Sequence, residues 1–234
     1  MLLIRTMRKR SLIDMGQEFS DHGIWRLFAR IGDLIILTIL TIVCSLPVIT
    51  LGSALSALYY VTFHLVEGYH EHVCRDFLHS FRQNLVQGMG LSVIMIGMGA
   101  MVAFDVWFMR QFMAVSEGIL LYVGWVICLL LGFLWLLLMM YLFPLQARFY
   151  NRVSTTIWNA LVIGFSRLPI SIVMLICDGI QIGFLVLCFR YIPEIVIVPL
   201  LTCMPVSACI HVLLLKEFLG VEPGKADRPV SNEL

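Results

Sequence analysis

The chain has 234 residues, of which 60% are hydrophobic and only 13% are charged, whereas an ordinary soluble domain is about half apolar and about a quarter charged. A mean hydropathy of +0.94 means that the apolar surface exceeds what a core of this size can bury, so we expect a membrane protein with the lipid bilayer as its solvent. The formal net charge is only +1, so the chain has no overall positive charge that would attract a polyanion. This argues against nucleic acid as a partner.

The first segment, 1–27, is predicted to lie on the cytoplasmic side along the membrane surface. It begins with basic residues, as a signal peptide does, but acidic residues follow before any apolar run starts. We therefore expect no cleavage of this segment.

Six apolar segments follow, each near the length of about 20 residues that a spanning helix needs. No charged residue occurs between Asp33 and Glu67, and this stretch allows two short crossings if the chain turns near Pro47. Proline ends one helix and is tolerated in the first turn of the next. The sequence thus predicts an all-α, polytopic helical bundle with spans at about 28–45, 48–66, 89–109, 119–143, 168–189 and 195–215.

Lysine and arginine accumulate in cytoplasmic loops, so their positions test the number of crossings. With six spans, fourteen of the sixteen Lys and Arg residues fall on the side of the two termini, and only Arg110 and Arg190 fall on the other. If 33–67 crossed only once, eight would fall on each side. We therefore predict six spans in the cell membrane, with both termini in the cytoplasm.

Two polar connections on the cytoplasmic side are predicted to form amphipathic helices, over 74–85 and 149–161. Their apolar residues recur at helical spacing, and polar side chains occupy the other face. These faces are candidate partner-binding surfaces, although an interfacial connector between two spans ordinarily looks amphipathic without binding a partner. Their basic residues are Arg75, Arg82, Arg148 and Arg152.

The end of the chain, 217–234, is polar and contains two prolines. Such a composition buries too little apolar surface to fold, so we predict a disordered cytoplasmic tail. Between Gly220 and Gly224 only three residues intervene, whereas a P-loop needs four, so the tail does not bind ATP in that way.

Histidine, cysteine and acidic residues are concentrated over 64–79, and His72, Asp76 and His79 would share one helix face. Two imidazoles and a carboxylate can hold zinc, but an interfacial histidine is ordinarily a surface residue, and no HExxH motif occurs. A Gly-x-Ser-x-Gly elbow is absent as well. We therefore expect no metal, no cofactor and no catalytic residue.

Four polar side chains stand out inside the predicted spans, where ionisable groups are costly and face a bundle interior or a cavity. Asp178 and Gln181 lie one turn apart in the fifth span, Asp105 lies near the outer end of the third, and His211 near the inner end of the sixth. Asp178 is either held by a neighbouring helix or by hydroxyl groups without a ligand role, or belongs to a solute path or a switch.

Small residues predict where helices touch, because they let two backbones approach closely. Three patterns stand out: a GxxxG pair, a glycine four residues before Ala103, and a glycine in a run of small residues. The candidate packing residues are Gly179, Gly183, Gly99 and Gly52.

The run Thr-Leu-Gly-Ser-Ala-Leu-Ser-Ala-Leu-Tyr-Tyr-Val over 50–61, followed by Arg75-Asp-Phe and Ser80-Phe-Arg-Gln-Asn, resembles the YesL-like family of uncharacterised bacterial integral membrane proteins. Asn159-Ala-Leu and Arg167-Leu-Pro, before the fifth span, extend this resemblance over most of the chain. The resemblance implies a bacterial plasma-membrane protein, and no site residue is carried over. Because members of the family often accompany carbohydrate ABC importers, it also implies an accessory role in sugar uptake.

We therefore predict a non-catalytic accessory or regulatory subunit of a carbohydrate ABC importer. Neither cytoplasmic connection holds the Glu-Ala-Ala loop of a standard importer permease. The alternative is a self-contained carrier or channel for a small solute, acting as a homo-oligomer. An accessory subunit needs a partner surface, whereas a carrier needs a polar pathway through its own bundle. The scarcity of charges inside the spans favours the accessory role.

Overall fold

The computed structural model describes residues 30–67, 72–113, 118–149, 152–192, 194 and 196–216. These residues form helices without any β-strand, so the all-α prediction is confirmed for them. The predicted N-terminal segment 1–27 and the predicted tail 217–234 lie outside the described residues. Helix α1 covers 30–45, and a short 3-10 helix, Val48–Thr50, precedes α2. The other helices are α2 (Leu51–Glu67), α3 (Val73–Gln83), α4 (Leu85–Met113), α5 (Ile119–Arg148), α6 (Val153–Ser166), α7 (Leu168–Tyr191) and α8 (Ile197–Leu215).

Four segments within the described ranges are long and apolar enough to cross a membrane, which agrees with four of the six predicted spans. Helix α1 occupies the first predicted span and α8 the sixth, but the apolar part of α8 is shorter than the other four. Six spans are therefore not confirmed. The four candidates are Val48–Glu67, Leu85–Phe112, Leu121–Arg148 and Leu168–Tyr191.

The start of α2 lies against the start of α4. The backbone N–H of Gly52 donates a hydrogen bond to Ser92 Oγ at 2.6 Å, and Ser53 Oγ donates to the carbonyl of Leu85 at 3.0 Å. In the six-span arrangement these two helix starts would lie near opposite faces of a hydrocarbon core about 30 Å thick. They share one end of the bundle instead, so this contact does not support two full crossings over 28–45 and 48–66 before α4.

Helix α2 is the centre of the bundle, because it packs against α3, α4, α5 and α8. The predicted amphipathic helix over 74–85 is present as α3, whose Phe77 is fully buried while Arg75 and Arg82 are exposed. Helix α3 packs much more extensively against α2 than against α4. This connection between α2 and α4 therefore lies along α2.

Helix α6 differs from the amphipathic helix predicted over 149–161. Helix α5 continues through Arg148 despite its internal Pro144, so α6 begins only at Val153. Its outer face is apolar rather than basic, since the side chain of Trp158 is 67% exposed. The periodicity of the apolar residues alone did not reveal that the preceding span extends so far.

Candidate functional site

Three helices bring together four polar side chains: Asp178 of α7, Ser207 and His211 of α8, and Tyr59 of α2. Ser207 Oγ donates a hydrogen bond to Asp178 Oδ1 at 2.5 Å, and the other carboxylate oxygen lies 3.2 Å from His211 Nε2. On the far side of the imidazole, Nδ1 lies 2.9 Å from the hydroxyl of Tyr59. We call these four residues the polar cluster.

Helical spacing explains why α8 contributes two members of the polar cluster. Ser207 and His211 are four residues apart, so both face α7 from one side of α8. His211 is 3% exposed and Tyr59 is 7% exposed, whereas the side chain of Asp178 remains 25% exposed. The cluster thus runs from a buried tyrosine to a partly accessible carboxylate.

His211 lies between the buried tyrosine and the carboxylate, with one ring nitrogen toward each. Within the described part of the chain, the hydroxyl of Tyr59 has one hydrogen-bond partner, His211 Nδ1. The other ring nitrogen, Nε2, faces Asp178 Oδ2 at 3.2 Å. When the hydroxyl donates to Nδ1, the ring proton is on Nε2, on the side of the carboxylate.

A cavity of about 260 Å³ opens beside the polar cluster, between α2, α7 and α8. Asp178, Tyr59 and Ser207 form part of its wall, and Gln181 adds an amide group. The rest of the wall is mostly aliphatic. The remaining lining residues are Leu55, Leu58, Ile182, Leu185, Cys203 and Met204.

The structure brings together three of the four polar residues singled out in the sequence. Asp178 and His211 are in direct contact, and Gln181 lines the same cavity as Asp178. Asp105 lies apart on α4, half-buried. Tyr59 could not be singled out from the sequence, because a tyrosine in an apolar helix carries no special signal. Ser207 could have been found, because it lies four residues before His211 and so shares its helix face.

The predicted helix contacts are present at two of the four candidate glycines. A Cβ atom on Gly52 would lie 2.5 Å from the carbonyl oxygen of Gly88, and one on Gly99 would lie 2.9 Å from the indole of Trp135. At Gly179 and Gly183 a Cβ atom would meet nothing within 4 Å. The contact predicted at this GxxxG pair is thus not made within the described part of the chain, because both glycines are on the exposed side of α7.

The four candidate partner-binding arginines have different surroundings. Arg75, Arg82 and Arg152 are exposed and make no ion pair with any described residue. Arg148 instead pairs with Glu67 at 3.3 Å and lies over the ring of Phe63. Its guanidinium is thus occupied inside the chain, and we withdraw Arg148 as a partner-binding residue.

The cluster of potential metal ligands over 64–79 is only partly described, since 68–71 lie outside the described residues. Among the residues that are described, no three His, Cys, Asp or Glu side chains are placed to hold one metal ion. The ring of His64 instead packs edge-to-face against the ring of Tyr60, with the ring centroids 4.4 Å apart. This geometry is typical of packing.

A family described as "Protein of unknown function, DUF624" matches residues 33–106, a range that extends from α1 into α4. The family is uncharacterised and assigns no activity, and the YesL-like resemblance stays a prediction. No curated protein and no solved structure matches the chain.

Proposed function

We propose that the chain is a non-catalytic protein of the bacterial plasma membrane that acts as an accessory subunit of a carbohydrate ABC importer. The observation that carries the proposal is the outer face of α3, where two arginines without an ion pair to any described residue flank an exposed leucine. The resemblance to the YesL-like family supports the choice of an importer as the partner.

The outer face of α3 consists of Arg75, Leu78 and Arg82, which helical spacing aligns on one stripe. Phe77 and Ser80, on the opposite side, are buried, so the helix is held in one orientation. Arginine is enriched at protein interfaces, and its planar group binds a carboxylate through two parallel hydrogen bonds. The occupant we propose is an acidic surface of an importer permease or ATPase subunit.

We propose that this face is cytoplasmic and that α1 and α2 form a hairpin that enters and leaves the membrane on the cytoplasmic side. The turn near Pro47 carries no charge, so such a hairpin leaves the fourteen-to-two distribution of basic residues unchanged. The hydrogen bond between Gly52 and Ser92 supports a shallow hairpin, because it places the turn beside Ser92, about two helical turns after the start of α4. Polar backbone at such a turn is tolerated where protein surrounds it.

Labelling of single cysteines in intact cells tests this orientation. In a variant without the seven native cysteines, we expect a membrane-impermeant maleimide to label Ser116→Cys but not Gln83→Cys, Thr155→Cys or Val48→Cys. Permeabilised cells provide the control for accessibility of the three silent positions. Labelling of Thr155→Cys from outside would overturn the orientation, and labelling of Val48→Cys would restore two full crossings.

Co-purification in mild detergent tests the accessory role. We expect importer permease or ATPase subunits, identified by mass spectrometry, to accompany the wild-type chain and to be lost, at least tenfold, from the Arg75→Ala/Arg82→Ala variant. Lysine substitutions at both positions should cause a similar loss if carboxylates are bound in bidentate fashion. A headgroup site would tolerate lysine, because a point charge suffices there.

The matched control is Arg110→Ala/Arg190→Ala, which removes two exposed arginines on the side predicted to be extracellular. We expect this variant to retain the importer subunits. The accessory role is contradicted if no importer subunit accompanies the wild type, or if the α3 variants retain it as the control does.

A self-contained carrier is the second candidate function, and the cavity beside the polar cluster favours it. A carrier needs a polar site within its own bundle, and Asp178 and Gln181 supply polar groups at the wall of this cavity. Solute uptake by proteoliposomes that contain this chain alone would favour a carrier over an accessory subunit.

A further inference from the structure

The carboxylate of Asp178 has no lysine or arginine partner within the described part of the chain. Ser207 donates a hydrogen bond to one carboxylate oxygen, and His211 Nε2 lies 3.2 Å from the other. Charged groups away from water are normally paired with an opposite charge. The side chain of Asp178 is 25% exposed, so its carboxylate remains available to a cationic ligand that reaches the cavity.

The cavity determines what kind of ligand fits. Its volume of about 260 Å³ is just below the range of about 300–1,000 Å³ that is typical of small-molecule sites. Apart from the polar cluster and Gln181, its wall is mostly aliphatic, with Leu55, Leu58 and Leu185 among the lining residues. A compact apolar body with a single charged end matches this wall.

The opening of the cavity lies at the lateral surface of the bundle. Ile182 and Met204, which line the cavity, are 62% and 46% exposed. In the proposed membrane placement these side chains face lipid. A ligand that concentrates in the bilayer, with an apolar body and an ionised amine, would reach Asp178 by this route.

We propose that the cavity between α2, α7 and α8 is a binding site for a small, apolar monoamine, whose ammonium group pairs with Asp178. The amide oxygen of Gln181 supplies a second acceptor for the ammonium protons, since both residues line the cavity and lie three residues apart on α7. His211 and Ser207 are positioning residues that hold the carboxylate. This site is independent of the docking face on α3.

Binding of tritiated benzylamine to the detergent-purified full chain tests the site, with binding to empty micelles subtracted. We expect saturable binding that unlabelled benzylamine displaces at a concentration at least tenfold lower than benzyl alcohol, which has the same shape without the charge. Asp178→Asn should weaken binding at least tenfold, because the amide keeps the shape of the carboxylate but removes its charge.

The matched control is Asp105→Asn, which neutralises a carboxylate outside the cavity and should leave binding within twofold of wild type. If Asp178→Asn does not elute as a folded protein, Leu185→Trp serves instead, since it keeps the carboxylate and fills the cavity. It should weaken binding at least tenfold as well. Unchanged binding in whichever variant is folded, equal competition by benzyl alcohol, or non-saturable binding would each overturn the proposal.

Discussion

Gly88→Ala is expected to lower the midpoint of thermal unfolding in mild detergent, because α2 and α4 are too close for a side chain at this position. A Cβ atom on Gly88 would lie 2.6 Å from both the backbone nitrogen and the Cα atom of Ser53. Backbone cannot move aside as a flexible side chain can, so the two helices must separate. Overpacking of this kind costs about 1–3 kcal/mol and occasionally more, and each kcal/mol corresponds to about 2–4 °C in a chain of this size.

Gly183→Ala is the matched control for this prediction. A Cβ atom there meets nothing within 4 Å, and alanine favours a helix over glycine by about 0.5–1 kcal/mol. We expect the midpoint of Gly183→Ala to equal or exceed that of the wild type. If both variants unfold at the same temperature, the close crossing of α2 and α4 does not exist in the membrane protein.

The sequence was sufficient for the helices but not for their arrangement. Long apolar runs predicted the four helices that are long enough to cross a membrane, because such runs have no other stable environment. The charge-free stretch 34–66 is different, since two full crossings and a hairpin that returns to the same side give the same distribution of basic residues. The proposal of a hairpin relies on a tertiary contact, that of Gly52 with Ser92, which the sequence does not reveal.

The same limit applies to the candidate site. Asp178 and His211 could be singled out because ionisable residues are rare in apolar helices, and the structure pairs them. Tyr59 could not, because hydroxyl groups are common in such helices and reveal no partner. The GxxxG pair of α7 shows the reverse case, in which a pattern of small residues is present without a neighbour inside the described part of the chain.

Arg148→Ala is expected to destabilise the protein more than the arginine substitutions proposed above. Arg148 pairs with Glu67 at 3.3 Å, and the side chain of Glu67 is only 2% exposed. The second carboxylate oxygen of Glu67 makes no hydrogen bond with any described residue. Removal of the guanidinium would leave a buried carboxylate without compensation, and such a loss costs about 3–5 kcal/mol. We expect the lower part of that range, because Arg148 itself is 24% exposed.

Removal of both charges should reverse this effect. A well-packed apolar pair in place of a buried ion pair is often neutral or stabilising, so Glu67→Leu/Arg148→Met should unfold close to the wild-type temperature while Arg148→Met alone unfolds well below it. Arg152→Ala, which removes an exposed arginine nearby in the sequence, should change stability by less than about 0.5 kcal/mol. A double variant as unstable as Arg148→Met would show that the guanidinium acts through its packing over Phe63 rather than through the charge of Glu67.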